Sequence, residues 1–268
     1  MKYFDPIKQQ LIYIKNKADS DYWDAHWDLD ENIRMKILGT KNTFVSRITK
    51  KYLKPSDGYI LEGGCGNGVN VASLYSNGYK VIGIDYAENT VKTLNKYIPE
   101  LDIRLGDVRN LPFEDDYFIG YWSLGVIEHF CEGYGSIALE MFRVLKDSGY
   151  LFLAFPYMSP LRCFKGRFGK YELWKKEMKY DSFYQFALNS ETVIQHFRDI
   201  GFKLIRGLPF DGIKGTKDEV AILKPVLQKL YDYNSSMLAF KGFRKAISII
   251  MSTVAGHCML LIFKKSSV

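Results

Sequence analysis

Short apolar runs separated by amphipathic stretches fill the middle of the chain. The runs are Tyr59-Ile60-Leu61, Lys80 to Ile84, Asp102 to Leu105, Tyr117 to Trp122 and Tyr150 to Phe155. Between them, Val91, Leu94 and Ile98 share one helical face, as do Ile137, Ala138, Met141, Phe142 and Leu145. Strands alternating with helices of this length predict an α/β fold with a parallel sheet and crossover connections. A further helix is expected from Ser190, read as its N-cap, with Val193, Ile194, Phe197 and Ile200 apolar and Gly201 ending it. Phe202 to Ile205 reads as a sixth strand and Cys258 to Phe263 as the last.

The flanks have another texture. Residues 1–57 read as a polar, helical segment without strand alternation. Within it Tyr22, Trp23, His26 and Trp27 recur at i, i+1, i+4 and i+5, one face of a helix. That face either packs on the core or forms a lid. The expected division is a helical segment over 1–57 and a domain over 58–268, with insertions at about 157–188 and 218–254. Ala246 to Phe263 is nearly uncharged and reaches the short edge of the membrane-spanning range. Ser248, Ser252, Thr253, Gly256 and His257 interrupt it, and Ala255-Gly256-His257 reads as a break. A buried helix followed by a strand is expected, not a membrane span.

With 47% hydrophobic and 25% charged residues, the 268-residue chain is globular in composition and can bury a full core. The net charge of +7 is spread along the chain, with no block resembling a nucleic-acid arm, so a mildly basic surface is expected. Cys65, Cys131, Cys163 and Cys258 are scattered, without metal-ligand spacing, so neither a zinc site nor a disulfide framework is expected. Together with MKYFDPIKQQ, which has no apolar signal-peptide core, this suggests a cytoplasmic protein.

The candidate chemistry sits at the end of the first central strand, in Leu61-Glu62-Gly63-Gly64-Cys65-Gly66-Asn67-Gly68. Glycines at every second position let backbone approach a ligand where a side chain would collide. The spacing is E-x-G-x-G-x-G, not the G-x-G-x-x-G of dinucleotide sites. Asp85 ends the second strand and is placed to accept from both hydroxyls of a ribose. Asp107 follows the third and is placed to accept from an adenine amino group. Ligands of open parallel sheets bind outside the carboxyl ends of the strands, where these three acids fall.

The series LEGGCGNG, VIGIDYAENTV, GDVRNLPFEDDYFIGYWSLGVIEH and RVLKDSGYLFLAFP resembles the successive motifs of class I, Rossmann-like methyltransferases that use S-adenosylmethionine (SAM), especially those acting on small molecules and lipids. The likeness spans residues 58 to about 206. It implies a doubly wound, seven-stranded, mostly parallel sheet whose last strand is antiparallel. It also implies a SAM site: Glu62, Gly63, Gly64, Cys65 and Gly66 at the methionine moiety, Asp85 and Tyr86 at the ribose, and Asp107 with Val108 at the adenine. Leu124 would line the methionine end, with Tyr22 and Trp27 closing over the sulfonium. The product would be S-adenosylhomocysteine. Ser123 to His129 lacks the Asn/Asp-Pro-Pro-aromatic and Pro-Cys signatures of base methylation, so DNA is not an expected partner.

Methyl transfer needs a base only if the nucleophile must lose a proton. His129, beyond the fourth strand and with an imidazole that titrates near neutrality, is the first candidate and Glu128 the second; packing explains His129 equally. The aromatic and basic segment Tyr157 to Phe186, which includes Phe164, Phe168, Tyr171, Trp174, Tyr180, Phe183 and Tyr184, is the expected cover of an acceptor pocket. Three functions stay open. They are methylation of a small-molecule or lipid-like acceptor, methylation of RNA or protein, and non-catalytic SAM binding. Acceptor, acceptor atom and oligomeric state are not legible.

Overall fold

The first element is a β-hairpin where a helix is expected. The computed structural model describes residues 1–27, 29–175, 182–233 and 237–266, and in it β1 (Lys2–Asp5) pairs antiparallel with β2 (Gln10–Ile14). The alternation is missing because both faces are covered. Tyr3 and Ile12 join the main core, while Phe4 and Leu11 pack on the other side with Met158 and Ala187. Only then does the N-terminal segment turn helical, in α1 (Ser20–Trp27), α2 (Ile33–Ile37) and α3 (Phe44–Thr49). Thr43 starts α3 with a capping box shared with Ser46, which satisfies backbone donors at the helix start.

The predicted alternation follows: β3 (Tyr59–Gly63), α4 (Val69–Tyr75), β4 (Lys80–Asp85), α5 (Glu88–Tyr97), β5 (Asp102–Leu105), β6 (Phe118–Leu124), α6 (Gly135–Val144) and β7 (Leu145–Pro156). A stretch comprising α7 (Pro160–Arg167), β8 (Glu172–Leu173) and β9 (Phe183–Ala187) comes next. The strands β8 and β9 complete a small sheet with the hairpin, in the order β8-β1-β2-β9. Then come α8 (Ser190–Ile200) and β10 (Phe202–Phe210). Asn189, one residue earlier than expected, caps α8 by accepting from the N–H groups of Glu191 and Thr192; Gly201 ends it at a φ of 114°. A helical stretch of α9 (Gly212–Glu219), α10 (Lys224–Asp232) and α11 (Leu238–Ala255) starts a few residues before the predicted insertion. It leads to β11 (Cys258–Lys265) across the predicted break at Gly256, but α11 is not the buried helix expected, since Ile249, Ile250 and Val254 on it are exposed. No helix among the described residues is long and apolar enough to cross a membrane.

The large sheet runs β10-β11-β7-β6-β3-β4-β5 and is parallel except for β11, which is antiparallel to both neighbours. This is the doubly wound, seven-stranded α/β architecture anticipated above. The strand order reverses between β3 and β6, the topological switch point where ligands of such sheets bind. There Gly63 lies in register with Ile84 of β4 and Ser123 of β6, so the loops leaving three strands meet. Cores fill both faces. Leu61, Tyr121, Leu153 and Phe155 are buried on one, and Ile60, Trp122, Phe152 and Ile262 on the other.

Candidate active site

The glycine turn is clasped to the neighbouring strand. Gly64 and Cys65 donate their N–H groups to the Ile84 carbonyl, at 2.8 and 3.0 Å. Gly64 has a φ of 74°, and a Cβ there would stand 2.5 Å from Val126. Gly66 has a φ of 49°, and a Cβ there would stand 2.4 Å from the Trp27 indole. Both the turn and the close approach thus require glycine. Asp85 ties the turn to the next helix. One carboxylate oxygen accepts from Gly66 N–H at 2.7 Å, and the other from Ala87 N–H at 2.9 Å. Burial pushes its carboxyl above the usual range, and the backbone donors offset part of that rise.

Above this rim is a cleft that, counted out to its open mouth, spans about 620 Å³. Asp85, Tyr86, Val108, Leu124 and Phe130 are among its walls, with Gly64 at the base. Trp23 and Trp27 cover it. None of the α1 side chains is buried in a core, which favours the lid reading of this aromatic face over core packing. The rings of Trp23 and Trp27 stack at 6.2 Å, and Trp23 meets His129 edge-on at 5.0 Å. Asp24 anchors α1 by accepting from the N–H and side chain of both Asn89 and Thr90, at the start of α5. The N-cap residue of that helix, Ala87, has no side chain able to do so.

Several candidate residues fall elsewhere. Glu62, Gly63, Cys65 and Gly66 do not line the cleft. Glu62 accepts from the Asn70 amide at 3.0 Å, its second oxygen is buried without a partner, and burial pushes its carboxyl up to about 8. Burial likewise pushes the Cys65 thiol up. Asp107 lies in an adjoining cavity and is ion-paired with Arg109 at 2.6 Å, which holds its carboxyl below the usual range. Tyr22 turns from the cleft to the Tyr184 ring, 5.7 Å away. Trp23, absent from the residues expected at the cofactor, lines the cleft instead. Its place on the same helical face as Trp27 was the available signal.

His129 lines both cavities. Its Nδ1 is 2.7 Å from the Tyr184 carbonyl, which accepts only from a protonated nitrogen, so Nε2 carries the free lone pair. The expectation that it titrates near neutrality is not met. Burial lowers it to about 4, and the Tyr184 carbonyl offsets only part of this. Glu128 is buried with one oxygen unpartnered and is pushed up to about 8 by desolvation, so at neutral pH it is mainly protonated. The aromatic segment expected as an acceptor cover divides. Tyr184 meets His129 and Phe183 enters the adjoining cavity, whereas Phe164 and Phe168 are exposed against each other. Tyr171 donates to Glu219, Trp174 packs edge-on against Tyr3, and Tyr180 lies outside the described residues. Strand pairing explains the division, because β9 runs beside β2 while α7 and β8 lie apart from the cleft.

Residues 61–153 match the family model described as a methyltransferase domain. Over 97 residues the chain is 34% identical to a "Probable S-adenosylmethionine-dependent methyltransferase" of Mycolicibacterium smegmatis. That match covers 36% of this chain and 37% of the relative, so the chain spans little more than a third of the relative's length. Among solved structures, the chain is similar to a SAM-dependent methyltransferase from Archaeoglobus fulgidus (TM-score 0.52, 17% identity, 82% of this chain and 90% of that one). It is also similar to the cyclase SpnF (TM-score 0.58, 14% identity, 96% of this chain and 99% of that one). The two neighbours share this fold but are described by different activities, so the fold alone does not specify the reaction.

Proposed function

We propose that this chain, whose residues 61–153 match a methyltransferase domain, is a class I, Rossmann-like enzyme that transfers a methyl group from SAM to a small-molecule or lipid-like acceptor. The observation that carries this reading is Asp85, a buried carboxylate pinned by Gly66 and Ala87 at the rim of the cleft. The residues fit a nucleoside with a charged tail. Gly64 offers a base with no Cβ, Tyr86, Val108 and Leu124 offer apolar walls, and Asp85 offers a carboxylate for hydroxyl groups.

When bound, SAM supplies a methyl already activated on a sulfonium, so the protein need not build the electrophile. The chain's own part is positioning and exclusion of water. Asp85 orients the ribose through its remaining lone pairs. Trp23 and Trp27 cover the cleft and present π faces suited to a cation. The Nε2 atom of His129, a weak base because burial lowers it, is available to take the proton of an acceptor hydroxyl as the methyl arrives, while Tyr184 fixes the tautomer. Glu128, neutral beside it, spares the site a buried negative charge. The cavity beside His129 sets Phe130 and Phe183 among Asp19, Asp107 and Glu132, with Lys17 and Arg109, and its excess of acids favours a small or lipid-like acceptor over a polyanion.

Calorimetry with SAM, S-adenosylhomocysteine and NAD tests the first half of this reading. The first two should bind and NAD should not. Methyl-labelled SAM incubated with lipid, small-molecule, RNA and protein fractions tests the second. Label in the RNA or protein fraction would overturn the acceptor class, and binding without label in any fraction would make the chain a non-catalytic SAM binder.

A further inference from the structure

The helix before the last strand presents a face that no described element covers. On α11, Ala239, Phe243, Ala246, Ile249, Ile250 and Val254 are all exposed; Phe243 is 58% and Ile250 70% accessible. Spacings of three and four residues put them on one side of the helix. That side carries no charged residue, and the Thr253 hydroxyl within it is bonded back to the Ile250 carbonyl. The opposite side carries Lys241, Arg244 and Lys245, which line an open cavity with Asp211 and Tyr231. There is no acid anywhere in α11. From residue 220 to 257, five cations face a single acid, Asp232.

We infer that α11 docks on an anionic lipid bilayer, lying in the plane of the interface with its apolar stripe among the acyl boundary and its cations at the phosphates. An apolar face backed by a purely cationic polar face is the distribution of interfacial helices. The helix is too short on apolar residues to span. A second copy of this chain fits less well, because each copy would bring the five cations and single acid of residues 220 to 257 into the vicinity of the same like-charged stretch. A nucleic acid would use the cations and leave the stripe in water. The topology gives the docking a consequence. Both α9 and α11 join the sheet where Phe210 lies opposite Cys258, and Cys258 lies opposite Pro156 at the carboxyl end of β7. The helical stretch is thus rooted at the sheet edge that carries the cleft.

The test uses the whole chain and vesicles of phosphatidylcholine with or without phosphatidylglycerol, read by co-sedimentation. The wild type should sediment with the anionic vesicles and remain in solution with the neutral ones. The double variant Phe243→Ser/Ile250→Ser should bind at least about tenfold more weakly, since two exposed apolar side chains lose their burial in the interface. Lys241→Gln/Lys245→Gln should weaken binding by about the same factor and blunt its salt dependence. None of these side chains lines the SAM cleft, so unchanged melting temperature and SAM affinity will show that both variants are folded. A wild type that stays in solution with anionic vesicles overturns the inference. So does undiminished sedimentation of Phe243→Ser/Ile250→Ser, which would mean adsorption of a basic protein through another surface. Analytical ultracentrifugation showing a wild-type dimer that this variant dissociates would reassign the face to self-association.

Discussion

The carboxylate of Asp24 accepts from both the N–H and the hydroxyl of Thr90, at 2.8 and 2.9 Å, so α1 supplies the N-cap that α5 lacks. A capping contact from a distant element makes the cover of the cleft and the start of α5 one unit. Burial would raise the Asp24 carboxyl, but the bonds from Thr90 and Asn89 outweigh it and hold the group below its usual range.

Asp24→Ala should therefore cost about 1 kcal/mol, the usual worth of an N-cap. It should also speed proteolysis around residues 15–30 and weaken SAM binding by releasing Trp23 and Trp27. Thermal melting, limited trypsin digestion and calorimetry measure the three effects. A variant with wild-type digestion and SAM affinity would show that α1 is held by other contacts.

On the proposed role of Asp85 at the ribose, Asp85→Ala should remove hydrogen bonds to a charged acceptor, each worth roughly 1.5–3 kcal/mol. SAM affinity should fall about 10- to 100-fold. Because Asp85 also holds Gly66 and Ala87, Asp85→Asn is the companion variant, keeping the shape of the side chain while discharging it. Calorimetry showing unchanged affinity in both variants would remove Asp85 from the site.

His129 should remain neutral across the working range. Its folded pKa of about 4 lies below the ordinary 6.5, so stability from the neutral ring is full above about 6.5 and is lost as pH falls towards 4. Nuclear magnetic resonance of the imidazole, assigned by comparison with His129→Gln, should show no titration between pH 8 and about 5.5. A midpoint near 6.5 would contradict its burial. Once an acceptor is known, His129→Ala should slow turnover by about 10²-fold, the low end of general-base effects because burial leaves the imidazole a weak base, with SAM affinity nearly unchanged.

Glu128 has the opposite sign. Its folded pKa of about 8 lies above the ordinary 4.5, so its contribution is intact below about 4.5 and is lost as pH rises through 8. Glu128→Gln keeps the shape and removes the titration. The decline in folding stability between pH 6 and 8 should become shallower by about 1 kcal/mol per pH unit. Urea unfolding at pH 6, 7 and 8 measures the slope, and an unchanged slope would show that the carboxyl is solvated.

Much of this architecture is legible from residues close together in the chain. The strand from Lys80 to Asp85 and the helix carrying Val91 and Leu94 announce themselves by period, because neighbouring side chains share one environment. The glycine turn is legible for the same reason, since Gly64 and Gly66 answer a local demand on backbone angle and space. Where side chains meet across long separations, local pattern carries no information. Leu11 and Ile12 look like part of a helical segment because the strand they form is covered on both faces by residues more than a hundred positions away. The sequence by itself determined the alternation that builds the parallel sheet and the glycine turn after β3, and its family resemblance implied the antiparallel last strand. The tertiary structure alone decided that Trp23 and not Tyr22 lines that cleft, that Arg109 engages Asp107, and that Tyr184 and burial leave His129 neutral. Pairing, burial and desolvation depend on what the fold brings near a group, and that is set only once distant segments have packed.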